Sequence, residues 1–220
     1  MKSTILETFM KEDALGGEDF VYADPDVRGL KLMINTYIPA TGPYAVSQSP
    51  EYARQAYEKW RGASNYVASS IINEAYKRGL NIAHGTTATA AAVTNLYKSL
   101  DKKHYRKVFL LCDTSDENRQ ASIRNREETQ GFYQVTPEDA VEKSRAFYDR
   151  FPDYFRYGDQ LYFYWTDDYK EGSIRAATFN KESGLTILNE EAFKKFKGQY
   201  ERAQAQKPEL PVFDVLVMKP

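Results

Sequence analysis

The stretch Leu80-Asn81-Ile82-Ala83-His84-Gly85-Thr86-Thr87 decides the fold class of this chain. Gly79 ends the long helical pattern before it, and an alanine- and threonine-rich helical stretch from Thr89 to Leu100 follows. Leu80 to Ala83 therefore reads as a short strand between two helices, with His84 to Thr87 at its carboxyl end. Phe20-Val21-Tyr22-Ala23, closed by Asp24 and Pro25, and Lys107 to Cys112, closed by Asp113, have the same form. All three are continuous apolar runs rather than alternating ones, as expected of strands covered on both faces. The β-α-β-α order predicts an α/β fold with a parallel sheet flanked by helices. Ligands of such folds gather beyond the carboxyl ends of the strands, where Asp24, His84 to Thr87 and Asp113 all fall.

Working outward, Ser49-Pro50-Glu51 supplies an N-cap and an early proline for a helix running to about Lys77. Tyr52, Ala56, Trp60, Ala63, Val67, Ile71, Ile72 and Ala75 recur along it at helical spacing and predict its core face. A short helix is expected over Val27 to Ile34 and a loop over Pro39 to Pro43. Ser115 to Arg126 reads as a helix, and Thr136-Pro137-Glu138-Asp139 starts another that ends near Arg150. Gln160 to Thr166 and Ser173 to Phe179 form a hairpin pattern. Asn189 caps a charged helix through about Gln204, and Val212 to Met218 reads as a terminal strand. The expected division is a core of residues 1–158 and a hairpin, helix and strand extension of residues 159–220.

With 220 residues and a formal net charge of −1, the chain has size enough for a substantial core and no general attraction for nucleic acid or anionic membranes. Lys102-Lys103-His104 and Arg106-Lys107 make one short basic cluster, read as a solvated turn. Cys112, the single cysteine, excludes an intrachain disulfide and reads as a small buried hydrophobe. No apolar stretch has the length of a membrane span, and the start of the chain lacks the layout of a signal peptide. A cytoplasmic protein is expected, or one delivered into another cell as an effector.

Lys2-Ser3-Thr4, followed by the helix-like run to Lys11, reads as the back half of a phosphate-binding loop, G-x-x-x-x-G-K-[ST]. In that loop glycines turn backbone N–H groups onto a polyphosphate, the lysine reaches its outer phosphates and the hydroxyl residue ligates magnesium. Here the glycine-rich front half and its preceding strand are absent, with Met1 standing in the place of the motif's glycine. Three explanations are open: truncation inside the motif, a strand supplied by a partner chain, or Val212 to Val217 lying in the vacant sheet position.

Taken in order, Lys2-Ser3-Thr4, Phe20 to Asp26, Asn81 to Thr86 and Arg124 to Pro137 resemble four blocks of the zeta-toxin branch of the P-loop kinases, a group related to polynucleotide kinases and chloramphenicol phosphotransferase. The resemblance covers roughly residues 2 to 155. It implies a kinase that transfers the γ-phosphoryl group of ATP or GTP, with Mg²⁺, to a hydroxyl of a nucleotide-like small molecule. By the same resemblance Lys2, Ser3 and Thr4 hold the phosphates, Ser3 ligates the metal, and Asp24 accepts the proton of the attacking hydroxyl. Arg124 and Arg126 bring charge to the γ-phosphate; Asp26, His84, Thr86 and Gln134 contact the acceptor.

His84 stands where family members acting on UDP-N-acetylglucosamine carry an acid, and Gln134 where they carry a second arginine. A dinucleotide or another nucleotide-like compound therefore fits as well as a nucleotide sugar. An antitoxin or chaperone partner is also implied. Two other readings stand beside this one: a catalytically dead kinase-fold binding module, and a polynucleotide 5′-hydroxyl kinase.

Overall fold

A computed structural model describes residues 5–9, 19–25, 50–90, 92–130 and 136–218. Its contacts group into two compact units. One comprises Met1–Leu6, Thr87–Gln120 and Glu138–Pro220, the other Glu7–Thr86 and Ala121–Pro137. The boundary expected at residue 158 falls inside the first of these. No described helix is long and apolar enough to cross a membrane.

The second unit holds β1 (Phe20–Ala23), the long helix α1 (Pro50–Arg78) and β2 (Asn81–His84). β1 and β2 pair in parallel, Phe20 opposite Asn81 and Ala23 opposite His84. Gly79 takes φ 68° just after α1, a left-handed conformation that favours glycine. Leu80 N–H donates there to the carbonyl of Ala75, closing the helix end as the sequence predicts.

The core face of α1 differs from the expected one. Among its residues with described side chains Ser64, Ala68, Ile72 and Ala75 are buried, whereas Ala63 and Val67 are exposed and Ile71 is only half-buried. Ile72 and Ala75 are buried as expected, and the stripe is turned by one position only at its earlier turns, from 63 and 67 to 64 and 68. Small side chains at 64 and 68 let helix and strands approach closely, and the Ser64 hydroxyl finds a backbone acceptor in the carbonyl of Pro25.

In the first unit, α2 (Ala92–Lys102) leads to β3 (Val108–Thr114), and α3 (Asp116–Gln130) starts directly after that strand. Then come α4 (Pro137–Tyr148), α5 (Phe151–Tyr157), β4 (Gln160–Thr166), β5 (Ile174–Asn180), β6 (Gly184–Ile187), α6 (Glu190–Gln206) and α7 (Phe213–Val217). The sheet order is β3-β4-β5-β6, with β3 and β4 parallel and the remaining pairs antiparallel. Among the described residues β2 pairs in a sheet only with β1, and β3 only with β4. The fold is α/β with parallel strands flanked by helices, and the expected hairpin is the β4–β5 pair.

Three details depart from expectation. Pro152 lies in the first turn of α5, a position that needs no N–H donor, so the helical pattern resumes after Arg150 instead of stopping. β6 adds a strand the sequence did not suggest. The supposed terminal strand is the helix α7, off the sheet, so Val212 to Val217 fills no strand position. Of that apolar run Phe213 is buried at 1% exposure, while Val212, Val215 and Met218 remain exposed. Phe213, with half-buried Leu216 and Val217 packed against the same core, seats this short helix, and a short apolar run does not by itself distinguish helix from strand.

Lys102 ends α2 and Lys103-His104 form an exposed turn, as read from the sequence. Lys107 instead is buried, with its Nζ 2.6 Å from Asp101 and 3.4 Å from Asp159.

Candidate functional site

Parallel pairing of β1 and β2 brings both carboxyl ends to the same edge, and this places Asp24 beside the segment that starts at His84. Gly85 N–H donates to the carbonyl of Ala23 at 2.9 Å, continuing the ladder one step past the strands. Asp24 is half-buried. Its Oδ2 accepts a hydrogen bond from the Tyr22 hydroxyl at 2.9 Å. Residues two apart on a strand project to the same side, which is why this pair can meet. On the other flank Ser64, fully buried on α1, donates to the carbonyl of Pro25 and pins the backbone just beyond Asp24.

Gly85 closes the arrangement. A Cβ there would overlap Asp24 Oδ2 and lie 2.9 Å from its Cγ and 3.0 Å from the Tyr22 hydroxyl. No side chain fits at this position unless the carboxylate moves. Thr86, also half-buried, follows directly. Asp24, His84 and Thr86, singled out in the sequence, therefore share one end of one parallel strand pair.

Other expected site residues are distributed differently. Arg124 and Arg126 both lie on α3 and are exposed. At about 100° per residue on an α-helix, positions two apart diverge by about 200°. The two guanidinium groups thus leave opposite sides of the helix and do not cover one phosphate together. Lys2, Ser3, Thr4, Asp26 and Gln134 lie outside the described residues, as do the short helix and loop expected between Val27 and Pro43.

The carboxyl end of β3 carries a separate polar cluster. Asp113 is buried and receives Arg119 Nη2 at 2.5 Å as well as the Tyr148 hydroxyl. Arg119 also pairs with Asp116 and donates to the carbonyl of Thr114 at 3.0 Å. Burial pushes the Asp113 carboxyl up, an effect that Arg119 and the Tyr148 hydrogen bond oppose. Burial and the neighbouring Asp113 carry the Tyr148 hydroxyl well above its ordinary range. Asn118 ties the cluster to β4, donating to the Thr114 hydroxyl at 2.5 Å and to the Thr166 carbonyl at 3.3 Å. Every charged group here is already matched, so the cluster serves packing, and Asp113 is a rim residue by sequence only.

Sequence reasoning assigned no role to Tyr22, Gly85 or Ser64. The alternation of Tyr22 with Asp24 along a strand was a usable signal for the first. Ser64 gave none, because it lies on a helix face that only the fold defines. Among the described residues no group of three or more His, Cys, Asp or Glu side chains is placed to hold a metal ion. The residues expected to bind nucleotide and Mg²⁺, Lys2 to Thr4, are not among those described.

No protein-family model matches the sequence, and no curated protein matches it. The fold is similar to a solved structure described as belonging to the PezAT chromosomal toxin-antitoxin system of the human pathogen Streptococcus pneumoniae. The match has a TM-score of 0.53 and 16% sequence identity, and it spans 96% of this chain and 82% of that one. At this identity the similarity shows a shared α/β fold over nearly the whole chain.

Proposed function

We propose that the chain is a phosphotransferase of zeta-toxin type, which moves the γ-phosphoryl group of ATP or GTP to a hydroxyl of a nucleotide-like small molecule. The observation that carries this reading is the carboxylate of Asp24, held by Tyr22 beside Gly85 and Thr86 at the carboxyl end of β1 and β2. Phosphoryl transfer asks a protein chiefly for positioning and charge neutralisation, and a fixed carboxylate at this edge supplies the proton acceptor. As the acceptor O–H bond breaks, its proton passes to Asp24. The oxygen then forms its bond to the γ-phosphorus, and the bond to the bridging oxygen breaks with its electrons to the departing diphosphate. Lys2 and Ser3 are the residues that would hold the phosphates and the magnesium ion, which when bound neutralises phosphate charge. The fold shared with a toxin–antitoxin component supports an antitoxin as protein partner.

The test is to incubate the purified chain with Mg²⁺ and ATP or GTP against nucleotides, nucleotide sugars and dinucleotides, following triphosphate loss and new phosphomonoesters by ³¹P NMR. Turnover with one class, reduced roughly 100-fold or more in Asp24→Asn, is expected of a lost general base. No triphosphate consumption with any member of the panel would overturn the kinase reading.

A second reading is a nucleotide-binding module without turnover. It is favoured by the divergence of Arg124 and Arg126, which leaves one arginine of that pair for any given phosphate. Calorimetric binding of ATP with no product would select it. A polynucleotide kinase is disfavoured because the basic cluster at Lys102 to His104 is a short exposed helix end and turn, and Lys107 beside it is buried between two acids.

A further inference from the structure

We infer that Tyr22 is a positioning residue for Asp24, acting against Gly85 as a backstop so that the carboxylate keeps one orientation. The inference rests on the reading of Asp24 as proton acceptor only for its catalytic consequence; its geometric part stands independently.

A carboxylate at a strand end has two soft side-chain torsions, and in the absence of restraint it samples several staggered and rotated positions. Contacts to the carboxylate and to the backbone around it limit it here. The Tyr22 hydroxyl donates to Oδ2 at 2.9 Å. The Cα of Gly85 lies so close that even one methyl group would collide with Oδ2 and crowd both Cγ and the phenol. Gly85 cannot retreat, because its N–H is bonded to the carbonyl of Ala23 at 2.9 Å. The backbone beyond Asp24 is held through Pro25 by the buried Ser64 hydroxyl. Phenol and carboxylate thus converge on a glycine that leaves room for both and for nothing else.

The chemistry gives Tyr22 a defined part. Its proton stays on the phenol throughout and marks one lone pair of Oδ2 as taken, so the acceptor's proton must arrive at another lone pair of the same carboxylate. The hydroxyl is a donor that orients; it exchanges no proton in the transfer. A phenylalanine keeps the ring and removes the hydroxyl that donates to Asp24, which makes Tyr22→Phe the informative variant and Gly85→Ala its steric counterpart.

The experiment uses the full chain labelled with [γ-¹³C]aspartate. The Asp24 resonance is assigned by its disappearance in Asp24→Asn and followed at neutral pH in Tyr22→Phe and Gly85→Ala. Both variants are expected to shift that resonance, while the circular dichroism spectrum and the other aspartate resonances stay in place. An Asp24 resonance unmoved by Tyr22→Phe overturns the inference. With the triphosphate and acceptor pair found in the screen above, Tyr22→Phe is expected to lower kcat roughly tenfold with KM within about twofold, and Gly85→Ala to lower kcat roughly 100-fold, as for a misplaced catalytic group. A rise in KM at unchanged kcat overturns the catalytic part. If no triphosphate is consumed by the unmodified chain, the kinase reading fails, and the carbon resonance still decides whether Tyr22 holds Asp24.

Discussion

Among the described residues, the aromatic core of one unit and the α1 contact of the other bury their side chains in different ways. In the unit built on β3 to β6, large rings fill the interior: Phe151, Phe163 and Phe196 have no exposed surface, and Phe151 lies 5.0 Å from Tyr200 and Phe155 4.9 Å from Phe179 between ring centroids. In the unit built on β1 and β2, the buried stripe of α1 is Ser64, Ala68, Ile72 and Ala75. Rings bury much apolar area per residue and need space around them. Small residues bury little but bring backbones together, and at such a contact a serine hydroxyl reaches a loop carbonyl and a glycine meets a carboxylate. The aromatic unit is built for stability; the α1 contact with the β1–β2 strand ends gives up apolar area to hold polar groups in fixed positions.

This contrast can be broken by substitution. Phe163→Ala removes a ring with no exposed surface and is expected to cost about 3–5 kcal/mol in chemical denaturation. A cost near that of a surface change would show that the rings are not the main source of stability.

Arg119→Met comes next, at about 3 kcal/mol near neutral pH, because it leaves a buried carboxylate without its partner. Asp113→Asn, which removes the buried charge itself, is expected to cost less, and adding it to Arg119→Met to recover part of the loss. Burial raises the Asp113 carboxyl, so once Arg119 is gone the folded form takes up a proton more readily than the unfolded one. The deficit of Arg119→Met should therefore be full above the folded pKa of Asp113 and shrink as pH falls toward the ordinary carboxylate range. Urea titrations across acidic to neutral pH measure this, and a deficit that grows on acidification would contradict the assignment.

Ala68→Leu should cost about 1–2 kcal/mol by overpacking the close contact of α1. Denaturation midpoints sharpen the comparison here: if this variant outranks Phe163→Ala, the small-residue contact is the more demanding of the two.

Much of this architecture was legible in the sequence, and the reasons differ by element. Strand-end Asp24, the glycine stop at Gly79 and the Asn189 cap, whose Oδ1 accepts from Ala192 N–H at 2.9 Å, follow from local rules that tertiary contacts do not override. The face of α1 is legible at Ile72 and Ala75 and one position off at its earlier turns, because hydrophobicity favours Ala63 and Val67 whereas the fold needs small residues at 64 and 68. The terminal run reads as a strand because its almost unbroken apolar character hides the helical spacing of its inward residues, Phe213, Leu216 and Val217. At the candidate site, Asp24, His84 and Thr86 could be placed on one edge from the parallel pattern alone. Tyr22 could be placed on the side of Asp24 by strand alternation, whereas Gly85 required coordinates, since its part depends on a distance between groups about sixty residues apart in the chain. The Arg124 and Arg126 pair shows the converse, for spacing on a confirmed helix separates two residues that seem adjacent in sequence.

The β3–β4 pair is fastened at both ends. At its start Asp159 accepts from the backbone N–H of Lys107 at 2.6 Å and from its buried ammonium group, while the carbonyl of Lys107 receives the N–H of Asp159 at 2.9 Å. At its finish the Thr114 hydroxyl donates to the carbonyl of Thr166 at 2.6 Å. Two strands separated by more than forty residues must find each other during folding, and neighbouring alignments of such apolar segments differ little in the burial they achieve. Any slippage parts Asp159 from the backbone and ammonium of Lys107 at one end and the Thr114 hydroxyl from its acceptor at the other. These end fastenings act as a proofreading device for assembly, rejecting misaligned sheets that greasy side chains alone would tolerate.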